Sequence, residues 1–271
     1  MEQADRVFAG SIPEVYDRLM VPMQFEPMAR DMAARVAALA PDSVLETAAG
    51  SGALTRELLP RLGAEACYAA TDLNPPMLER AQARMGPDPR LAFRPADAKA
   101  LPYEDGVFDV VVCQFGVMFF PDRVAAYREA RRVLRSGGRF LFSAWDRVEA
   151  NSFAQAVHEA LAVVLEGEPP AFVTRVPHGY HDPDRMRADL EAAGFSGVVV
   201  EPVEMESRAE SAMDVAVAKC QGTPIRAEIE ARRPGDLERV TAEVAREVAR
   251  LLGEGPLRGR LRAWVAEGVA P

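Results

Sequence analysis

Short, continuously apolar runs alternate along this chain with longer stretches in which apolar positions recur every three or four residues. The runs at about 44–48, 66–72, 90–95, 107–114 and 138–145 read as buried strands. The stretches at about 52–62, 75–85 and 122–135 read as helices between them. This alternation predicts an α/β fold, a mostly parallel, doubly wound sheet with helices on both faces. Ahead of it, Ile12 to Met20 and Phe25 to Leu39 read as helices, the second through Met28, Met32, Val36 and Leu39, with Pro22 and Pro27 as punctuation. Ser136-Gly137-Gly138 reads as a tight turn feeding the fifth strand. A helix begins at Asp182-Pro183, runs through Ala193 and ends at Gly194, and a strand follows at 196–205. Residues 236–252 carry an apolar stripe of Leu237, Val240, Val244, Val248 and Leu251. Glu238, Arg239, Glu243, Arg246 and Glu247 give that helix a solvated face. A strand at 257–265 completes a seven-stranded sheet.

The most informative stretch is Val44 to Gly52, VLETAAGSG, taken with Asp72. A strand ends in an acid, Glu46, and a small-residue loop, Ala48-Ala49-Gly50-Ser51-Gly52, opens a helix. Gly50 and Gly52 tolerate positive φ, and small side chains let a ligand approach the backbone. Amides at the helix start would face a polar or anionic group. Asp72 ends the second strand, where a Rossmann-type unit places a ribose-binding carboxylate. A nucleoside-containing cofactor is expected. The dinucleotide fingerprint requires a third glycine where this chain has Thr55, and Glu46 would set a negative charge near pyrophosphate. S-adenosylmethionine (SAM), with an ammonium and a sulfonium, suits an acid there better than NAD.

The stretch from about Val44 to Trp145 resembles the core of a class I SAM-dependent methyltransferase, closest to the ubiquinone/menaquinone-biosynthesis-like small-molecule group. The resemblance rests on LETAAGSG (45–52), ATDLNPPML (70–78), PADAKALPYEDGVFDVVVCQFGVMFF (95–120) and REARRVLRSGGRFLFSAWD (128–146), in the family's order. Ala48 departs from it, standing where the family has the first glycine of its loop. The resemblance implies that Glu46, Ala48, Gly50 and Gly52 surround the methionine end of SAM and that Asp72 holds the ribose hydroxyls. It further implies that Leu73 and Met77 pack on adenine, with Asp97 and the Ala98 amide on its polar edge. Gln114 borders the transferable methyl, and Tyr16 and Phe25 close over the cofactor. Each position also has a plain packing role: acids at strand ends cap helices, and Met77, Tyr16 and Phe25 sit at helix-packing positions. Asn74-Pro75-Pro76-Met77 imitates a DNA-methylation loop but follows strand two and lacks its aromatic residue. Pro in a first helical turn explains it.

Composition bounds the partners. A net charge of −9 and a pI near 5.1 argue against nucleic acid, whose binding needs concentrated basic surface. Cys67, Cys113 and Cys220 form no disulfide or zinc spacing, and the first two fall in strands expected to be buried. That cysteine usage points to a reducing cytoplasm. The start, MEQADRVFAGSIPE, lacks a targeting pattern, and no apolar stretch reaches spanning length, so a soluble protein is expected. The 271 residues fit one methyltransferase domain: an N-terminal helical cover (1–40), a cofactor-binding core (44–146), an acceptor-side insertion (147–181) and a C-terminal part (182–271). The C-terminal helix offers a surface for a homodimer.

The chemistry expected is in-line attack by an O, N or C atom of a small-molecule acceptor on the sulfonium methyl, with alignment and water exclusion as the protein's main tasks. Which residue, if any, acts as a base is open. The apolar 115–120 loop with Phe119, and the insertion with His178, Tyr180 and His181, are the acceptor-side candidates, although His181 and Asp182 also fit a helix start. His158 reads as helix packing, and no metal site emerges. Two other readings stay open: a SAM-binding partner module without catalysis, and a nicotinamide oxidoreductase, which Thr55 and Glu46 disfavour.

Overall fold

A computed structural model describes Gly10 and residues 12–271; most of the N-terminal stretch read for targeting lies outside the described residues. Seven strands form one sheet: β1 Ser43–Thr47, β2 Cys67–Asp72, β3 Leu91–Pro95, β4 Phe108–Gln114, β5 Leu134–Trp145, β6 Ser196–Ala209 and β7 Leu257–Val269. Their order is β3-β2-β1-β4-β5-β7-β6, with β7 antiparallel to both neighbours and the remaining pairs parallel. The order reverses between β1 and β4, which opens a crevice at their carboxyl ends.

The helices are α1 Ile12–Val15, α2 Glu26–Ala38, α3 Ala53–Leu58, α4 Pro75–Met85, α5 Arg123–Val133, α6 Ser152–Val164, α7 Phe172–Arg175, α8 Pro183–Ala192, α9 Ala212–Gln221, α10 Ile225–Arg232 and α11 Leu237–Leu252. Central strands β1 and β4 bury Val44, Leu45, Val110, Val111 and Val112, which explains their continuous apolar runs. Edge strand β3 is only half-buried, contrary to the expectation of a buried run, because no strand covers its far side. Cys67 is exposed at the start of β2, whereas Cys113 is buried as expected.

Three departures from the sequence reading have local causes. Pro22 does not separate two helices. Tyr16–Phe25 forms a π-helical run that carries straight into α2, and the wider turn accommodates a residue with no N–H to donate. Ser136 to Gly138 lies within β5 as an irregularity instead of preceding it, with Gly137 at φ +81° and its N–H donating to the Ala270 carbonyl. Helices α9 and α10 lie where the pattern gave no element. Ser211 caps α9 by accepting from the Asp214 amide at 3.1 Å.

The stripe of α11 packs on α6 and α9 inside the chain, with Val240, Val244 and Val248 fully buried. Leu251, read as part of it, is exposed. The apolar face of α11 is thus covered by the chain's own helices. Among the described residues, no helix is long and apolar enough to cross a membrane.

Candidate active site

A cleft of about 990 Å³, open to solvent, lies beyond the carboxyl ends of β1, β2 and β4. Of the twelve residues expected around the cofactor, eleven line it: Tyr16, Phe25, Glu46, Ala48, Gly50, Asp72, Leu73, Met77, Asp97, Ala98 and Gln114. Gly52 does not. It sits at φ +79° ahead of α3, and a Cβ there would come within 3.1 Å of the Ala81 Cβ. Its glycine character therefore serves close approach of α4 to the loop.

The loop is held at both ends by acids. Asp72 accepts from the Gly50 amide at 2.8 Å and from the Asn74 amide at 2.8 Å, joining the loop to the start of α4. Burial pushes its carboxyl pKa upward against those bonds. The Asn74 side-chain amide also donates to Asp72 Oδ1 at 3.3 Å, so Oδ2, bonded by the Gly50 amide, is the oxygen better placed to take a ribose hydroxyl. Thr55, read only as the missing third glycine, donates to Glu46 Oε2 at 2.5 Å, and the Tyr68 hydroxyl donates to the same oxygen at 2.6 Å. Even so, burial raises Glu46 to a pKa of about 7. Asp97 accepts the Lys99 amide at 2.9 Å. Among the described residues, two buried polar atoms of the lining have no protein partner, Ser51 Oγ and Gln114 Oε1. Acids at both ends and orphaned polar atoms between them fit a ligand that is adenosyl at one end and ammonium-bearing at the other.

Ala48 adopts φ +53°, the left-handed conformation usual for glycine. The loop after β4 presses on it: a Cβ at Gly116 would fall 2.4 Å from the Ala48 Cβ and 2.7 Å from Cys113 Sγ. Phe115, beside it, is also left-handed at φ +55°. The Gln114 side-chain amide donates to the Phe25 carbonyl at 3.0 Å, tying β4 to the π-helical run.

A second cavity of about 840 Å³ adjoins the first. Tyr16, Phe25, Phe115 and Phe119 line both. Phe25 stacks on Tyr16, with ring centroids 5.0 Å apart, and meets Phe115 edge-on at 5.7 Å. The second cavity's far walls come from α6, α7, β6, α9 and β7. Phe119, shared with the first, and His178 line this cavity. Tyr180 and His181 do not. Tyr180 is buried, donates to Asp189 at 2.8 Å and lies under the Arg123 guanidinium at 4.1 Å. The His181 ring bonds the His178 carbonyl at 2.7 Å, and Asp182 caps α8. This tyrosine and histidine shape the segment that carries His178.

His178 Nδ1 donates to the Asp146 carbonyl at 2.7 Å, which leaves Nε2 as the lone-pair nitrogen. Burial pulls its pKa down to about 4, so the ring is neutral. Sequence reasoning missed Trp145, Gln24 and Lys219 in this cavity. Lys219 had a readable signal: a lone charge inside the apolar run AMDVAVAKC. His158 belongs to α6 and lines neither cavity. Among the described residues, no cluster of His, Cys, Asp and Glu fits a metal.

Comparison with known proteins bears on this geometry. The profile of a family described as a methyltransferase domain matches residues 45–142. A demethylmenaquinone methyltransferase of Mycolicibacterium vanbaalenii is 34% identical over 166 residues, 58% of this chain and 69% of that protein. The chain belongs to the class I SAM-dependent methyltransferases. Its cofactor is accordingly SAM, and the resemblance carried by the four motifs holds. An uncharacterized protein of Mycobacterium tuberculosis is 43% identical over 103 residues, but that match spans only 38% of this chain and 36% of the relative. The YcgJ protein of Bacillus subtilis shares the methyltransferase's fold with a TM-score of 0.56 at 19% identity, over 90% of this chain and 98% of that one.

Proposed function

We propose that the chain transfers the methyl group of SAM to an O, N or C atom of a small, largely apolar acceptor held in the second cavity. The observation that carries this reading is the aromatic partition, Tyr16, Phe25, Phe115 and Phe119, common to two adjoining chambers. A cofactor chamber alone would serve a binding module, whereas an adjoining chamber serves a second reactant. The relative named for demethylmenaquinone supports a small-molecule acceptor.

SAM supplies an activated methyl on a sulfonium, so no strong nucleophile is required of the protein. The chain's residues orient the two reactants. Asp72 and Asp97 receive the adenosine end, and Glu46, with the Ser51 and Gln114 oxygens, receives the amino-acid end. The partition rings exclude water and leave a line of approach along which an acceptor atom attacks opposite the departing sulfur. Such alignment lowers a two-reactant barrier by roughly 7–11 kcal/mol. His178 Nε2 accepts a hydrogen bond from an acceptor hydroxyl or amine. With its pKa near 4, it positions that group better than it removes a proton at neutral pH.

The test is incubation of the full chain with methyl-labelled SAM and the small-molecule fraction of a cell extract. The expected result is release of S-adenosylhomocysteine with label in a new small molecule. Tight SAM binding with no label transferred would contradict the proposal and favour a binding module.

A further inference from the structure

The two chambers carry opposite charge. The cofactor cleft is lined by Glu46, Asp72 and Asp97, with Lys99 at its edge. Among the described residues, no Asp or Glu lines the second cavity, whose ionisable residues are Tyr16, His178, Lys219 and Arg260. This holds in a chain whose net charge is −9. The contrast is therefore local and not an echo of overall composition.

Lys219 is the group that calls for an explanation. It comes from the buried face of α9 and is 9% exposed. Its Nζ donates to Gln24 Oε1 at 2.6 Å. Among the described residues, no carboxylate lies within ion-pair distance of Nζ. The side chain's polar contact is thus one neutral amide, whereas an ammonium has three donors. Buried charges in folded proteins are almost always paired, because desolvating an isolated ammonium is costly. Neighbouring hydroxyls are committed elsewhere: Ser207 donates to the Met23 carbonyl at 2.8 Å, and Thr223 to the Lys219 carbonyl at 2.7 Å. Apart from Tyr16, Asn151, His178 and Arg260, most of the remaining wall is apolar, including Met20, Phe153, Val157, Phe172, Ile225 and Leu261.

We propose that Lys219, oriented by Gln24, is the anion-recognition residue of the acceptor cavity, and that the acceptor is an apolar body bearing a carboxylate or comparable oxyanion. This rests on the second cavity being the acceptor site. The anion supplies the counter-charge missing around Nζ, and the aromatic partition packs the apolar body. A cationic donor is thus matched to the acidic chamber and an anionic acceptor to the basic one, which discriminates against each ligand entering the other's place. Neutral isosteres leave the ammonium unpaired and bind less tightly.

The experiment is calorimetric titration of 2-naphthoate and of its uncharged isostere 2-naphthamide into the chain saturated with S-adenosylhomocysteine. The wild-type protein should favour the carboxylate by at least about tenfold, and Lys219→Met should reduce that preference to about one while retaining S-adenosylhomocysteine affinity. Equal binding of the two probes by wild type, no binding of naphthoate, or a preference that survives in Lys219→Met overturns the inference. Should that variant fail to fold, the wild-type preference measured between about pH 6.5 and pH 9.5 decides the matter. Burial lowers Lys219 to about 8, so its ammonium is discharged across that range and the preference must fall. His178 is neutral throughout, burial keeps the Tyr16 phenol protonated, and a guanidinium such as that of Arg260 does not titrate in proteins. A flat preference overturns the inference. Loss of S-adenosylhomocysteine binding by wild type would instead sink the methyltransferase reading itself, so the two failures are distinguishable.

Discussion

The rings of Phe115 and Trp145 lie 8° from parallel with centroids 3.6 Å apart. Phe115 belongs to the partition between the chambers, and Trp145 ends β5 and faces the second chamber alone. The stack fixes a left-handed Phe115 that would otherwise relax toward ordinary backbone geometry. Replacing Trp145 by Leu removes an aromatic pair worth about 1 kcal/mol beyond its area. The variant should melt lower and lose acceptor turnover. Its S-adenosylhomocysteine affinity, read by calorimetry, should stay within about threefold of wild type, since threefold is under 1 kcal/mol.

Ala48 and Gly116 make a paired prediction. An L-residue in the left-handed region costs about 1–2 kcal/mol, partly offset by the larger unfolded entropy of glycine. Ala48→Gly should therefore raise stability by roughly 0.5–1 kcal/mol in denaturant titrations. Gly116→Ala places a methyl 2.4 Å from the Ala48 Cβ, so it should destabilise the fold by at least about 2 kcal/mol. Combining the two should recover part of that loss, although the contact with Cys113 Sγ at 2.7 Å remains. Strict additivity in the double mutant would show that the two loops do not press on each other.

Much of this was legible in the chain. The core strands, the Glu46–Gly52 loop and Asp72 follow from periodicity and spacing, because a buried strand and a sharp loop each admit few residue types. Lys219, Gln24 and Trp145 were not legible as one site. They come from α9, the π-helical run and β5, and only tertiary packing brings them to one cavity. Tyr180 illustrates the converse: beside His178 in sequence, it turns into a hydrogen bond with Asp189 instead of the cavity. Gly52 does not line the cleft, and its role in admitting Ala81 depends on how α4 packs, which no local pattern reveals.

Glu46 predicts a proton signature. Its pKa stands near 7 in the folded chain, raised by burial above the ordinary carboxyl value of 4.5. An ammonium docked beside it favours the carboxylate, so cofactor binding near pH 7 should release about half a proton. Calorimetry in buffers of different ionisation enthalpy reads this release, and Glu46→Gln should abolish it. The stability linkage has the matching sign. The folded state holds a proton that the unfolded state gives up above pH 4.5, so this group's contribution is full below that pH and is lost as pH rises through about 7. Glu46→Gln should flatten that part of the stability profile.

Asp17 ties the N-terminal cover to the core. Its side chain is fully buried and meets Arg80 at 3.0 Å and Arg84 at 2.5 Å from α4, with Arg56 of α3 at 4.0 Å. Tyr16, its neighbour, lines both chambers. Asp17→Asn removes an anion shared by three guanidinium groups and should cost about 1–3 kcal/mol of stability, the range for hydrogen bonds to charged groups whose arginine partners stay solvated. S-adenosylhomocysteine should dissociate at least about tenfold faster in stopped-flow displacement, because the cover no longer closes. An unchanged dissociation rate would show that the π-helical run does not gate the cleft.

The most direct test is a crystal structure with S-adenosylhomocysteine bound. Adenosine should lie between Asp72 and Asp97, the amino-acid end against Glu46 and Gln114, and the sulfur should point at the partition facing the Lys219 cavity. Density for the nucleoside in any other cavity, or a sulfur turned away from that partition, would contradict this arrangement.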